Sequence, residues 1–359
     1  MTNERGAVRV AQWATGAVGR EALLGVLDAP GLELVGVYVT SAVKDGVDAG
    51  DLVGRGPTGV TTTRDLDAVV ASRPDVVVYT PRTPSTDDVC ALLRAGVDVA
   101  TTSYGFDPEH MPEDDRDRLR AACAEGGSTF HASGLNPGSF SAAVPLALSG
   151  LVRRLKRLTL QERADWSVYE STEITFDQMR FGRPAEEVTE AASESLAFTS
   201  DLFRQQVWLL GRALHADLDE VVTHHEVAVA RHDVTVFDRV LAAGTVNGQR
   251  FRWVGRARGE ELIVIEAIWT LGEVDAAWPE PQHGWTLQLE GDPSVQAHLI
   301  TLASFSDPRE MVDHVRAASV ATAMQVVNAV PHVHGAAPGF ATAVDLPVVS
   351  SLVGFGGQG

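Results

Sequence analysis

A glycine-containing turn near the N-terminus is the clearest chemical signal in the sequence. The segment Val8–Arg20 is an apolar run followed by Ala-Thr-Gly-Ala-Val-Gly and the start of a helical pattern. It matches the dinucleotide-binding pattern Gly-x-Gly-x-x-Gly, with Ala14 in place of the first glycine. Gly16 would let a pyrophosphate approach the backbone, and Gly19 would let the helix pack against the strand. An ordinary strand-to-helix turn is the alternative. The predicted contacts here are Thr15, Gly16, Ala17, Val18, Gly19 and Arg20.

The end of the second predicted strand indicates which dinucleotide the turn would bind. A site that prefers NAD usually has an acidic residue here for the ribose 2′-hydroxyl, but this strand end has none before Asp45. Ser41 could donate to a 2′-phosphate, and Lys44 could neutralise it. We therefore expect NADP(H), with NAD(H) as the second choice. The alternative for Lys44 is a solvated loop lysine.

Three loops after further predicted strands should meet this turn, because the carboxyl ends of parallel strands lie at one edge of a sheet. The first loop has an arginine that could line the cofactor, and the last has an asparagine suited to the nicotinamide amide. Ordinary turn chemistry is the alternative for each loop. The predicted contacts are Thr80, Pro81 and Arg82; Thr101, Thr102 and Ser103; and Asn136, Pro137 and Gly138.

Candidates for proton transfer are few, because the chain has only two lysines, Lys44 and Lys156. Neither has a tyrosine four residues before it, which excludes a Tyr-x-x-x-Lys pair. Tyr104 follows a predicted strand and could donate to a developing oxyanion, with a packing role as the alternative. His131 is a second candidate donor, with a core histidine as the alternative. Weaker candidates, from the part of the chain after residue 135, are Tyr169, Glu173 and Asp177.

The candidate residues must be positioned by strands and helices that alternate along the first part of the chain. Apolar β-branched runs alternate with helical patterns over residues 1–135, which favours a Rossmann domain, a doubly wound parallel sheet covered on both faces. Strands are predicted at 7–13, 32–40, 75–80, 97–102 and 128–131, and helices at 18–29, 85–95 and 113–125.

After Asn136 the pattern changes to longer β-rich stretches separated by turn signals. Residues 136–307 are predicted to be an α+β substrate and dimerisation domain on a mixed or antiparallel sheet. The last part, 308–359, could pack back on the first domain. The predicted elements are helices at 137–151, 185–213 and 308–330, a strand at 157–164, a hairpin at 246–249, a turn at 291–293, and an extended tail from Pro331.

Composition narrows the class of partner. The 359 residues include 29 basic and 48 acidic side chains, a formal net charge of −19, which disfavours nucleic acid and anionic membranes. No secretory signal or membrane span is recognisable, and two cysteines build no disulfide framework, so we expect a reducing cytoplasm. No metal site is predicted, because His224–His225 and His332–His334 lack further ligands at recognisable spacing.

Three parts of the chain together resemble a known family. Gln12–Gly19, Gly134–Gly138, and Val327–Pro331 with Ala336–Gly339 are similar to the dihydrodipicolinate reductase-like NAD(P)H-dependent enzymes of actinobacteria. That group includes 2,4-diaminopentanoate dehydrogenase and the native amine dehydrogenases. The resemblance covers most of the chain and is looser over 165–300. It implies a Rossmann domain, an α+β substrate domain, a homodimer, and interconversion of a carbonyl or imine with an alcohol or amine.

The sequence departs from these relatives at two places. Dihydrodipicolinate reductases have a basic residue after a histidine pair, where this chain has Glu226. Amine dehydrogenases carry a glutamate in the loop that here reads Ser103-Tyr104-Gly105. We expect an NADP(H)-dependent oxidoreductase that transfers hydride to or from a small-to-medium carbonyl or imine held between the domains, in its more specific form an amine dehydrogenase. A non-catalytic NADP(H) sensor is the alternative.

Overall fold

The computed structural model describes residues 6–168 and 171–355, and the chain forms two compact units. Unit 1 contains the residues up to Ser139 together with those from Ser319 onward, and unit 2 contains Phe140–Ala318. The first part of unit 1 contains β1 (Val8–Trp13), α1 (Ala17–Asp28), β2 (Leu32–Tyr38), α2 (Ala49–Val53), β3 (Thr62–Thr63), α3 (Leu66–Ala71), β4 (Val76–Tyr79), α4 (Thr86–Arg94), β5 (Asp98–Thr101), α5 (Glu113–Gly126) and β6 (Thr129–Ala132).

Unit 2 contains longer strands. Its elements are α6 (Val144–Ser149), β7 (Arg154–Asp165), α7 (Glu194–Ala213), β8 (Glu220–Val229), β9 (Val234–Val236), β10 (Arg239–Leu241), β11 (Val246–Ala257), β12 (Glu260–Thr270), β13 (Gly284–Asp292) and β14 (Val295–Leu299). They are followed by α8 (Met311–His334), whose residues from Ser319 belong to unit 1, and by β15 (Gly339–Phe340).

The sheet of unit 1 has seven parallel strands in the order β15-β6-β5-β4-β1-β2-β3. All four residues of β4 are buried, as expected for a strand covered on both faces. The chain proceeds from β1 to one side and later returns to the other side at β4. Ligands of open α/β sheets bind at this kind of switch point, at the carboxyl ends of the strands. The doubly wound parallel sheet is therefore confirmed.

Helix α8 completes the core of unit 1. Its buried side chains, among them Val326, Val327 and Val330, join an apolar cluster with Val10 and Val78 of the sheet. These residues recur at helical spacing, so one face of α8 is buried against the sheet.

The sheet of unit 2 has six strands in the order β14-β13-β7-β12-β11-β8. Within this sheet β7 and β12 pair in parallel and the other neighbours pair antiparallel, so the sheet is mixed. The mixed or antiparallel sheet predicted for the second domain is therefore confirmed. Its core lies between one face of the sheet and α7. There Trp253 is fully buried, stacks on Phe203 with ring centroids 4.1 Å apart, and donates from Nε1 to Ser200 Oγ at 2.6 Å.

The predicted hairpin at 246–249 is wrong, because these residues belong to the long strand β11. Gly248 serves packing there, since a Cβ on it would lie 2.7 Å from Val274 Cγ1. The turn is instead formed by Arg258 and Gly259, both with positive φ, as a two-residue hairpin between β11 and β12 requires.

Three further predictions about local structure need correction. The helix predicted at 137–151 begins later, because the backbone leaves helical geometry at Asn136–Gly138; a π-helical stretch that ends at Ala143 then leads directly into α6. In the stretch 185–213 the α-helix begins at Glu194. Pro331 does not begin the tail, because it lies inside α8.

Among the residues that the structure describes, no helix combines the length and the hydropathy needed to cross a membrane.

The buried aromatic stack predicts a strong dependence of stability on Trp253. We expect Trp253→Ala to lower the free energy of unfolding by about 3–5 kcal/mol, because it leaves a cavity. Trp253→Phe keeps a ring but loses the bond to Ser200, and should cost about 1–2 kcal/mol. Urea denaturation followed by circular dichroism measures both. The control Phe305→Ala removes a side chain that is 82% exposed and should change stability by less than about 0.5 kcal/mol. Equal effects of all three would contradict this account of the core.

Candidate functional site

The turn after β1 has an unusual backbone at Ala14. This residue has φ +70°, a left-handed conformation that costs an L-residue about 1–2 kcal/mol and costs glycine little. The side-chain amide of Gln12, which is fully buried, braces the turn. Its Nε2 lies 2.9 Å from the carbonyl oxygen of Ala14 and 2.8 Å from Thr80 Oγ1. The turn therefore keeps the shape of the glycine pattern although its first glycine is absent. Sequence reasoning missed Gln12, although a lone amide in an apolar strand was a usable signal.

The two remaining glycines of the turn, Gly16 and Gly19, differ in whether the fold could accommodate a side chain. A Cβ on Gly19 would lie 2.3 Å from the carbonyl oxygen of Ala14, so the fold itself requires glycine there. A Cβ on Gly16 would meet no protein atom within 4 Å, and Gly16 has an ordinary φ of −72°. Helix α1 has no side-chain cap at this N-terminus and no acidic residue in its first turn. The open approach to these amides suits an anionic ligand.

Lys44 places a positive charge beside the turn. It ends a short 3₁₀ helix, Ala42–Lys44, that follows β2. Its Nζ donates to the carbonyl oxygen of Thr15 at 2.9 Å and to Thr15 Oγ1 at 3.2 Å. Because lysine has three donors, these bonds fix the ammonium group without using all of its capacity.

A cavity of about 420 Å³ opens over this turn within unit 1. It includes exposed Ser41 and Arg82 together with half-buried Lys44, and none of its lining side chains is acidic. The lining residues are Ala14, Thr15, Gly16, Thr40, Ser41, Lys44, Thr80, Pro81, Arg82 and Thr83. A glycine that leaves the helix N-terminus accessible, next to cationic side chains, fits the phosphates of a pyridine dinucleotide.

The cavity thus brings together seven of the predicted contacts, from the turn and from the loops after β2 and β4. The structure does not bring the others into its lining. Ala17, Val18 and Arg20 lie in the first turn of α1, outside the lining, as does Gly19 beneath the turn. Thr101, Thr102 and Ser103 lie at the end of β5, and Asn136, Pro137 and Gly138 follow β6. Thr40 and Thr83, which we did not predict, line the cavity instead.

Tyr104 is buried, and its hydroxyl is bonded to a side chain of α4 that is itself bonded to α5. The hydroxyl hydrogen-bonds Thr86 Oγ1, which in turn donates to Asp115 Oδ1 at 2.7 Å. Its ring packs edge-on against Phe130. Burial raises the pKa of Tyr104 to about 12, which weakens it as a proton donor. It lies outside the lining of the cavity over the turn, and these contacts favour the packing alternative.

His131 is buried in β6, and its Nδ1 donates to the carbonyl oxygen of Ala341 at 2.7 Å. Burial lowers the pKa of His131, which favours the neutral ring. These contacts favour the core alternative for this residue too. Glu173 and Asp177 are exposed, and Tyr169 lies outside the described residues.

Neither histidine pair has the surroundings of a metal site. His225 stacks on Phe251, and His334 hydrogen-bonds Asp98 at 3.1 Å. Within residues 6–168 and 171–355, no group of three or more His, Cys, Asp or Glu is arranged to hold a metal ion.

Comparison with known proteins identifies the class of the chain. Residues 12–125 match the family model for the N-terminus of dihydrodipicolinate reductase, and residues 143–356 match the C-terminal domain of 2,4-diaminopentanoate dehydrogenase. An amine dehydrogenase from Streptomyces virginiae is 31% identical over 354 residues, which cover 94% of this chain and 95% of that protein. The protein is an NAD(P)-dependent oxidoreductase. It belongs to the family of 2,4-diaminopentanoate and amine dehydrogenases, as the resemblance implied.

Solved structures support the fold. The amine dehydrogenase from Mycobacterium smegmatis superposes with a TM-score of 0.74 at 20% identity, over 96% of this chain and 97% of that chain. GenD2 from gentamicin A biosynthesis, solved in complex with NAD, has a TM-score of 0.52 at 16% identity, over 92% of this chain and 88% of that chain. Since the relatives are dehydrogenases and reductases, the comparisons give the non-catalytic sensor no support.

The difference between Gly16 and Gly19 predicts that one substitution weakens cofactor binding and the other lowers stability. We expect Gly16→Ala to leave the free energy of unfolding within about 0.5 kcal/mol of wild type. It should raise the Kd of NADPH about tenfold or more, because the new methyl group occupies the approach to the α1 amides. Isothermal titration calorimetry and thermal unfolding measure the two quantities.

Gly19→Ala is the matched comparison, and it should cost about 1–3 kcal/mol of stability because its methyl group clashes with the turn. Wild-type affinity of Gly16→Ala for NADPH would contradict the assignment of this turn to the cofactor.

Proposed function

We propose that the protein is an NADP(H)-dependent dehydrogenase that interconverts a small-to-medium amine with its carbonyl compound. The observation that carries the proposal is the acid-free cavity in which Lys44 and Arg82 lie beside the turn after β1. Relationship to an amine dehydrogenase along nearly the whole chain supports the choice of reaction.

The preference for NADP(H) is inferred from charge at the end of β2. An NAD-preferring site would place a carboxylate there to accept from the ribose 2′-hydroxyl, and that carboxylate would repel a 2′-phosphate. In this chain β2 ends at Tyr38 and leads to exposed Ser41 and to Lys44. The Thr15 bonds hold the ammonium group near the turn, where a 2′-phosphate would receive both a charge and a hydroxyl donor.

The proposed residues bind and orient the cofactor. When bound, the nicotinamide supplies hydride transfer, so that amine, NADP⁺ and water yield carbonyl compound, ammonia, NADPH and a proton. The amides of α1 and the Lys44 ammonium group would hold the phosphates, and Arg82 and Thr80 would line the cavity beside them. We assign neither Tyr104 nor His131 a proton-transfer role, given their buried contacts.

Reduction of a carbonyl compound to an alcohol is the second candidate. The loop after β5 favours it, because Ser103-Tyr104-Gly105 supplies no carboxylate at the position where amine dehydrogenases carry glutamate. The two reactions differ in whether ammonia is consumed.

Dependence on ammonia tests the proposed reaction. We expect NADPH oxidation with aliphatic and aromatic ketones to require ammonium, and the product to be the amine, because the reductive direction consumes ammonia. Absorbance of NADPH and mass spectrometry of the product measure the outcome. Ammonia-independent turnover that yields an alcohol would replace the proposal with the second candidate. Absence of nucleotide binding would overturn both.

The two lysines provide a matched test of cofactor preference. Lys44→Ala should lower the ratio of kcat/KM for NADPH to that for NADH about tenfold, because the 2′-phosphate loses its counter-charge, worth ~1.4 kcal/mol. Lys156→Ala removes the other lysine, an exposed residue of unit 2, and should leave the ratio unchanged. Steady-state kinetics with both nucleotides give the ratio. An unchanged ratio in Lys44→Ala would contradict the role of this lysine.

A further inference from the structure

One buried amide joins two of the segments that line the cavity over the turn. Gln12 on β1 is fully buried, and its Nε2 donates to Ala14 O at 2.9 Å and to Thr80 Oγ1 at 2.8 Å. A third oxygen, that of Trp13, lies 3.1 Å from the same nitrogen. Ala14 belongs to the turn after β1 and Thr80 to the loop after β4, and both residues line the cavity. The amide of Gln12 therefore ties the turn to the loop after β4.

Helix α1 starts against the same two oxygens. A Cβ on Gly19 would lie 2.3 Å from the carbonyl oxygen of Ala14 and 2.8 Å from Thr80 Oγ1. The Thr80 hydroxyl is held in turn by its own bond to the carbonyl oxygen of Trp13, at 3.1 Å. The amides at the start of α1 are the groups proposed to hold the phosphates. A shift of either oxygen would therefore move the phosphate-binding amides with it.

Packing alone does not account for a glutamine at position 12. Its Oε1 is buried and, among the residues that the structure describes, accepts no hydrogen bond. An unpaired buried acceptor lowers stability, and a methionine of similar length would fill the same space without one. The glutamine is instead explained by the oxygens to which its Nε2 donates.

The backbone of Ala14 is what such a donor would hold in place. Its φ of +70° is a conformation that glycine adopts freely and other L-residues avoid. Residues in such conformations persist where the surrounding structure fixes them. The Gln12 amide donates to the carbonyl oxygen of this same residue, so it fixes the peptide group that follows the strained position. A glycine at position 14 would need this bond less.

We propose that Gln12 is a positioning residue for the cofactor, and that its amide takes the place of the missing first glycine by holding Ala14 in the left-handed conformation. This inference rests on the proposed function, because the ligand that the turn positions is NADP(H). It goes beyond that function by giving Gln12 and Ala14 a joint role. Gln12 supports nucleotide binding because residue 14 is not glycine.

A double-mutant comparison tests the joint role. Gln12→Met keeps the size of the side chain and removes the amide, and it should raise the Kd of NADPH about tenfold because the turn and the α1 amides shift. In the Ala14→Gly background the same substitution should raise the Kd no more than about twofold, since glycine adopts the turn conformation without help. Isothermal titration calorimetry of the wild type, both single variants and the double variant gives the Kd values.

A matched control makes the same exchange at another fully buried glutamine. Gln249 lies on β11 in unit 2, and its Nε2 donates to the carbonyl oxygen of Met179 at 2.6 Å. Gln249→Met should lower the temperature of thermal unfolding and leave the Kd of NADPH unchanged. If Gln12→Met does not fold, Gln12→Asn gives the same comparison, because its amide is one methylene group shorter and is withdrawn from Ala14.

Two results would overturn the inference. One is a wild-type Kd in Gln12→Met, and the other is an equal loss of affinity with and without Ala14→Gly, which a merely structural role would produce. A wild-type protein that does not bind NADPH contradicts the proposed function instead. Thermal unfolding of the same variants then still tests the pair. Gln12→Met should lower the unfolding temperature less in the Ala14→Gly background, and an equal decrease in both backgrounds would overturn the inference.

Discussion

The close approach of α1 to the turn after β1 is the contact on which the proposed cofactor site depends. Gly19 lets the helix start directly against the carbonyl oxygen of Ala14, and the side-chain amide of Gln12 donates to that same oxygen. The helix N-terminus is thereby pointed at the cavity, and the Thr15 carbonyl oxygen is positioned to receive the Lys44 ammonium group. A bulkier residue at position 19 would displace all of these groups together.

Local charge at the site differs in sign from the charge of the whole chain. The net charge of −19 disfavours polyanionic partners, yet the cavity over the turn contains lysine and arginine and no acidic lining residue. Because salt screens charges beyond roughly 10 Å, nearby cations determine the affinity for a small phosphorylated ligand.

Predictions from the sequence were correct where local interactions decide the structure, and wrong where contacts between distant residues decide it. The parallel sheet and the turn were predictable, because continuous apolar strands and glycine spacing record local backbone requirements. The hairpin at 246–249 was wrong because Asn-Gly marks a turn only where the chain reverses. Here Gly248 instead makes room for Val274, a contact between residues distant in the chain. The extended tail predicted from Pro331 was wrong for a related reason. Packing of α8 on the sheet stabilises the helix beyond the proline.

The sequence by itself determined the class of fold, the glycine-containing turn after β1 and the scarcity of lysine that made Lys44 stand out. Only the tertiary structure decided which polar side chains face a cavity. Tyr104 follows a strand of the sheet, but its hydroxyl is bonded to Thr86 of α4 and does not line the cavity over the turn. His131 also ends a predicted strand, but its ring is bonded to the carbonyl oxygen of Ala341, which lies 210 positions away in the chain. Backbone conformation depends mainly on neighbouring residues, whereas the surroundings of a side chain depend on residues a hundred positions away.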